Sequence, residues 1–389
     1  MAFLHGIESL AATYTLTPIA DIPTGVIGLI GTSEAGSPSV VNELKLCLSA
    51  KDDEQFGTTG SIPAALTAIR AQGPAIVLVV SLGPEVESPA YPVAVDFVGT
   101  DTGGVKTGLK VFELAYSMFG MNPKILIAPE YTALTGVMAA LQTAALKHRA
   151  MCYIDSAAGL TVSAAITSRG TGNAWATSNA RTMLMFGGVL DLAGAIKPQS
   201  AYAAGVRAQV DRVFGWWELL SNKIDMLGIT GVETPITFKV NDETCEANLL
   251  NAQGIQCIMN TFGTGYKQWG NRNASYPTVS TPRSFESIQR INDIMDDAID
   301  QTILPYVDRV INQGLIDFIL DTINGYFNTL IGKGALIEGS KCYFYEADNS
   351  VGDIAAGKLT FTKVYAGGIP AERITFKNTF DINLLNNII

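Results

Sequence analysis

Between about residues 60 and 215, helix-length amphipathic stretches alternate with short runs of Val, Ile and Leu, and this alternation restricts the fold more than any other feature. A short, continuously apolar strand has no polar face to turn toward water, so it must be covered on both sides. The strands expected on this basis are Ala75–Ser81, Lys124–Ala128, Met151–Asp155 and Thr182–Phe186. The expected helices are Ile62–Gln72, Gly108–Phe119 and Ala133–Arg149. Strands and helices in this order predict an α/β layered domain. Glu85–Lys106, with Pro89 and Pro92 and a turn-rich tail, reads as an insertion or surface hairpin.

Both ends of the chain follow a different period. Leu10, Ala12, Tyr14 and Leu16 alternate with Ala11, Thr13, Thr15 and Thr17, as in a half-buried strand. Pro18, Pro23 and Gly25 separate this strand from the apolar run Val26–Ser33. At the other end Ile374, Phe376, Phe380, Ile382 and Leu384 alternate with polar residues behind a joint of Gly367, Gly368 and Pro370. Between these strands, Pro282 opens a helix carrying Phe285, Ile288, Ile291, Met295, Ala298 and Thr302 on one side, which Pro305 ends or kinks. A second helix is expected to carry Val307, Val310, Ile311, Leu315, Phe318, Ile319 and Ile323, with Gly332 and Gly334 beyond its end. The fold expected from these patterns is an α/β domain plus an α+β C-terminal domain, with N- and C-terminal strand arms. The expected boundaries are 1–22 for the first arm, 23–270 for the α/β domain with an insertion near 85–106, 271–366 for the helical domain and 367–389 for the second arm.

Composition says where the apolar surface must go. Hydrophobic residues make up 48% of the chain and charged residues 16%, with a mean hydropathy of +0.24. The purest apolar stretch, Ala75–Leu82, is far shorter than the ~20 residues of a membrane span, so no membrane insertion is expected. Large cores and subunit interfaces remain as sinks, because obligate interfaces are the more apolar kind. The net charge of −10, without a dense basic run, argues against nucleic acid as a partner. Five dispersed cysteines without a CxxC point to reduced, buried thiols rather than disulfides or zinc. The amino terminus lacks the pattern of a secretion signal, which leads one to expect cytoplasmic synthesis.

Chemistry-bearing constellations are sparse. His5 and His148 have no metal-ligand or triad spacing, and neither GVIGLIG nor FGTGYKQWG matches a phosphate-binding loop. Asp293, Asp296, Asp297 and Asp300 form one acidic stripe on the first late helix, read as a solvated or partner-facing face rather than a catalytic site. Lys267, Arg272, Arg283 and Arg290 form a loose basic stretch that suits an acidic protein partner or an ordinary surface equally well. Phe214, Trp216 and Trp217 read as packing residues, since no convergent polar groups accompany them. The expectation is no enzyme, no metal and no cofactor. The competing reading is an α/β enzyme or small-ligand binding protein built on residues 60–215.

Four stretches in order carry a resemblance. Ala201–Glu233 (AYAAGVRAQVDRVFGWWELLSNKIDMLGITGVE), Cys245–Asn273 (CEANLLNAQGIQCIMNTFGTGYKQWGNRN), Gly334–Ile337 (GALI) and the later GKLTF and IPAERITF resemble the contractile tail sheath proteins of P2-like phages and R-type pyocins. That resemblance implies a subunit polymerised as stacked hexameric rings around a tail tube, in contact with baseplate and tail terminator proteins. It would reside in a virion tail or tail-like particle assembled in the host cytoplasm. It implies that the terminal strands are exchanged between subunits, with Pro18, Pro23, Gly25, Gly367, Gly368 and Pro370 as hinges. It further implies that a metastable extended sheath contracts to drive the tube through an envelope, without nucleotide. The late helical region would then lie near the tube, with Lys267, Arg272, Arg283, Arg290 and Asp293, Asp296, Asp297, Asp300 as candidate tube contacts.

Overall fold

In the computed structural model, which describes residues 19, 22–37, 40–87, 90–260 and 263–388, the run Val26–Ser33 becomes the strand β1 (Ile27–Gly31) at the heart of an eight-stranded sheet. The other strands are β2 (Leu44–Cys47), β3 (Val77–Ser81), β4 (Ile125–Ile127), β5 (Met151–Asp155), β6 (Thr182–Met185), β7 (Ile255–Asn260) and β8 (Tyr266–Trp269). They lie in the order β8-β7-β6-β5-β4-β1-β3-β2. The inner six are parallel, and the edge strands β2 and β8 run antiparallel to their neighbours. Gly28 has no side chain because none fits: a Cβ there would come within 2.7 Å of Leu126 and 2.9 Å of Pro123. This glycine-rich run is therefore a packing device, not a phosphate loop.

The uniformly apolar strands conceal a period of two that only the layers resolve. Ile30, Leu78, Val80, Leu126, Ile154 and Leu184 face α2 (Val137–His148). Ile27, Leu29, Val77, Val79, Ile125, Tyr153 and Met183 face α1 (Ser61–Gln72) and α3 (Gln199–Val213). The expected three-layer α/β arrangement is present, with Met151–Asp155 at its expected bounds. Gly108–Phe119 is a 3-10 segment, Gly108–Leu114, followed by one short helix, Ala115–Phe119. The stretch near 85–106 does contain a hairpin, Asp101–Thr102 with Val105–Lys106, but it also carries a helical turn, Ala94–Val98. That turn puts Phe97 into the core against Tyr131, so the stretch is not simply an excursion.

A third core gathers around α4 (Glu286–Ile303) and α5 (Gln313–Gly332). Trp216 is buried in it with Trp217 packed alongside, which is the packing role expected of these rings, while Phe214 is exposed. The second late helix starts later than its apolar spacing predicts. The Asn312 side chain accepts the Leu315 amide at 2.8 Å and caps it, leaving Val307 and Val310 on an exposed connection. After α5, β9 (Lys341–Tyr343) and β10 (Thr362–Val364) pair as a two-stranded ribbon.

His148 occupies the last turn of α2, where the helix dipole favours a cation by only ~0.3–1 kcal/mol. Burial outweighs that, with the charge of Lys124 adding to it, and pushes the imidazole down to about 4. A depressed folded value means that this group's contribution is complete above the unfolded value of 6.5 and is lost as pH falls toward 4. His148→Gln should therefore lose less stability than the parent chain between pH 6.5 and 4, by on the order of 3 kcal/mol, in urea unfolding followed by circular dichroism.

Candidate functional site

Helix α3 is buried almost all round because its Ala and Gly residues let the sheet and α1 close on it. In its middle sits Arg207, fully buried. Its Nε donates to Asp211 Oδ1 at 2.7 Å, four residues along the same helix, and its Nη1 donates to the Glu218 carbonyl at 2.8 Å. Arg290, from α4, donates to the other Asp211 oxygen at 2.5 Å. Glu286, one turn earlier on α4, lies 3.8 Å from Arg207 and accepts from the Tyr153 hydroxyl at 3.4 Å. Burial disfavours the Arg207 charge, but Asp211 and Glu286 more than offset this and hold the guanidinium above its ordinary range. Burial and the Glu286 charge together push the Tyr153 hydroxyl well up.

The same helix continues the pattern. Asp293 accepts from Arg181 at 2.5 and 3.0 Å and from Gln289 at 3.0 Å. Asp296 pairs with Lys363. Asp297 pairs with Lys124 and, at 2.8 Å, with Arg149, which also reaches Asp300 at 2.6 Å. This corrects the expectation of a solvated or tube-facing acidic stripe: Asp293, Asp296 and Asp297 turn inward and join α4 to the sheet and the β9–β10 ribbon. The sequence concealed their partners, since Arg181 and Lys124 lie 112 and 173 residues away. Arg290 and Asp293 are each only 2% exposed, so neither offers a surface to a tube. Of the basic residues, Lys267 lies 3.9 Å from Asp225, Arg272 pairs with Glu372, and only Arg283 is exposed, its guanidinium donating to Asn292.

The arm residues Leu10, Ala12, Tyr14 and Leu16, and Pro18 behind them, lie outside the described residues. The C-terminal segment is described and has no strand pairing. Ile374, Phe376, Phe380, Ile382 and Leu384 are all exposed, Phe376 by 84% and Phe380 by 83%, and the segment ends in a 3-10 turn, Ile382–Ile388. A strand needs a ladder partner, and this one has none among the described residues. Two of the expected hinges are packed rather than free. A Cβ on Gly25 would lie 3.2 Å from the Ala208 backbone, and one on Gly367 would lie 2.8 and 2.9 Å from Ile288 and Ile291. Gly368 stands in open space, Pro23 is exposed and Pro370 half-buried.

The crevice beyond the strand ends, where α/β sheets commonly take ligands, is filled by the chain itself. Thr32 bonds Ser61 and Tyr131, and Ser33 bonds Ser81. Glu34 occupies the loop before α1, accepting the Thr58 amide at 2.6 Å and its hydroxyl at 3.1 Å. No group of three potential metal-ligating side chains occurs among the described residues, and no described helix is long and apolar enough to cross a membrane. All five cysteines are free and buried.

A layered body is thus joined to a helical body by buried charges and carries an apolar tail that has no strand partner among the described residues. The model of the phage tail sheath protein central domain matches residues 104–274. The tail sheath protein of Burkholderia phage BcepMu is 31% identical, the match covering 96% of each chain. The tail sheath protein of Escherichia phage P2 is 25% identical, with 99% of this chain and 97% of that one covered. The helical sheath of the anti-feeding prophage in its contracted state has the same fold at 19% identity, with a TM-score of 0.71 over 98% of this chain and 100% of that one. The chain belongs to the phage tail sheath protein family, and it is a structural sheath subunit of a phage tail or tail-like particle, not an enzyme.

Removing Asp211 would leave two buried guanidiniums, Arg207 with only Glu286 at 3.8 Å and Arg290 without its ion-pair partner. Asp211→Ala should cost roughly 3–5 kcal/mol in denaturant unfolding, whereas Asp300→Ala, at a mostly exposed pair, should cost within about 1 kcal/mol.

Proposed function

We propose that this subunit polymerises as stacked hexameric rings around a rigid tube and that the sheath contracts from a metastable extended state, driving the tube through a cell envelope. The observation that carries this reading is the C-terminal segment 374–388, which presents large apolar side chains to solvent with no partner among the described residues. Burying each of these side chains fully is worth about 1.5–3 kcal/mol, so a surface able to take them binds strongly. The occupant's site is a sheet edge in a neighbouring copy, because an alternating segment recovers its main-chain hydrogen bonds only by adding to a ladder. The β9–β10 ribbon fits that role: a two-stranded ribbon is marginal alone, and extra strands complete it. Residues 10–17 act as the second donated arm.

In this reading interface energy takes the place of an active site. Subunits stay connected through their arms while the bodies between them rotate, and the charge pairs along α4 keep each body whole as it moves. Contact with the tube falls to the exposed members of the earlier candidate set, Arg283 and Asp300, and further contacts are made with baseplate and terminator proteins. Assembly takes place in the host cytoplasm.

Ending the chain at Arg373 tests this directly. The truncated subunit should keep the circular dichroism spectrum and melting temperature of the parent, within a few degrees, and form no tubes or rings by negative-stain microscopy. Tubes of normal yield from the truncated chain would overturn the donated-arm reading.

A further inference from the structure

The two stretches GNR (270–272) and IPAERITF (369–376) lie about a hundred residues apart in sequence, and the fold brings them together at one side chain. Arg272 follows β8, and its backbone bridges to Phe285 at the start of α4. Its guanidinium lies 3.8 Å from the Phe285 ring centre and 4.5 Å from that of Tyr276. From this seat it grips Glu372: Nε donates to Oε1 at 3.0 Å and Oε2 at 3.1 Å, and Nη2 donates to Oε2 at 2.7 Å. The Arg272 side chain is only 19% exposed and that of Glu372 34%, whereas the next pair, Arg373 with Glu243, is mostly exposed. Beyond Arg373, residues 374–388 make no hydrogen bond or ion pair to the rest of the described chain.

We infer that Arg272 is the positioning residue for the C-terminal arm: it clamps Glu372 and so sets the point and direction at which the arm leaves the body. This rests on the donated-arm reading and moves the start of the free arm from the Gly367–Gly368 joint to Arg373. Gly367 is already immobilised against Ile288 and Ile291, so Glu372 is the last well-held residue. The difference matters for reach. From residue 373 to 389 an extended chain spans at most ~60 Å, whereas from residue 369 it would span at most ~75 Å in directions the clamp now forbids. Ordering the base of the arm in advance also removes part of the entropy cost of docking it on a neighbour. Planar, bidentate and stacked contacts are what a guanidinium provides and an ammonium does not, so lysine replaces the charge here but not the geometry.

The test uses the full chain with Arg272→Glu, Glu372→Arg, the double reversal, Arg272→Lys and the truncation after Arg373. In the unassembled subunit the Glu372 amide, which donates to the Pro370 carbonyl at 3.1 Å, should exchange faster in either single reversal, while the amides of α4 stay as in the parent. Tube yield should fall about tenfold or more in each single reversal, less in Arg272→Lys, and recover in the double reversal. Single reversals that assemble normally, or a double no better than the singles while all remain folded, would overturn the clamp even if truncation abolishes tubes. A truncated chain that still assembles would instead overturn the arm reading beneath it.

Discussion

Asp211 holds two buried guanidiniums at once, Arg207 from its own helix and Arg290 from α4, and the union of the two halves of this subunit depends on that carboxylate. Buried charge is costly to desolvate and repays that cost only when geometry and pairing are nearly complete. Here Glu286, Tyr153 and the Glu218 carbonyl add to the set, while Arg207 Nη2 and Arg290 Nε are buried without a hydrogen bond. Such an arrangement tolerates no slippage, since an offset of one residue along α4 would leave several ions unpaired in a low-dielectric interior. It acts as a registration device as much as a source of stability. Asp293, Asp296 and Asp297 extend the same registration down the helix to β6, the β9–β10 ribbon and the start of β4.

A body so registered contrasts with its own C-terminal segment. Apolar side chains inside the three cores are nearly all covered, yet Phe376 and Phe380 stand almost bare. The apolar excess of the composition is thus divided between cores that a single chain completes and a tail it leaves uncovered. On the proposed reading the two regimes have different uses: the rigid body carries force, and the tail carries connectivity. Arg272 lies at the boundary between them, anchored on one side by Phe285 at the entrance to α4 and on the other by Glu372.

How far the fold was readable depended on the range of the interactions involved. Met151–Asp155 and the helix ending at Gln72 follow from local periodicity, and they appear where expected. Val307 and Val310 misled, because apolar spacing alone does not locate a helix start, whereas the cap at Asn312 does. Phe97 was hidden in what read as a surface hairpin, since nothing local distinguishes an apolar residue that reaches the core from one that does not. The acidic stripe was legible as a stripe, but its orientation was not, because Lys124, Arg149 and Arg181 approach it only after the sheet has formed.

By itself the sequence determined the alternation of covered strands and helices, the lack of a local catalytic or nucleotide-binding motif, the alternating apolar tail and the likeness to a sheath family. All of these are written in spacing over a few residues or in motif order. Tertiary structure alone decided that Asp211 serves two arginines, that α4 turns its acids inward, that Gly28 and Gly367 admit neighbours instead of flexing, and that Arg272 meets Glu372. The physical reason is common to all four: each depends on atoms brought within a few ångströms by residues far apart in the chain, and a linear pattern carries no record of such proximity.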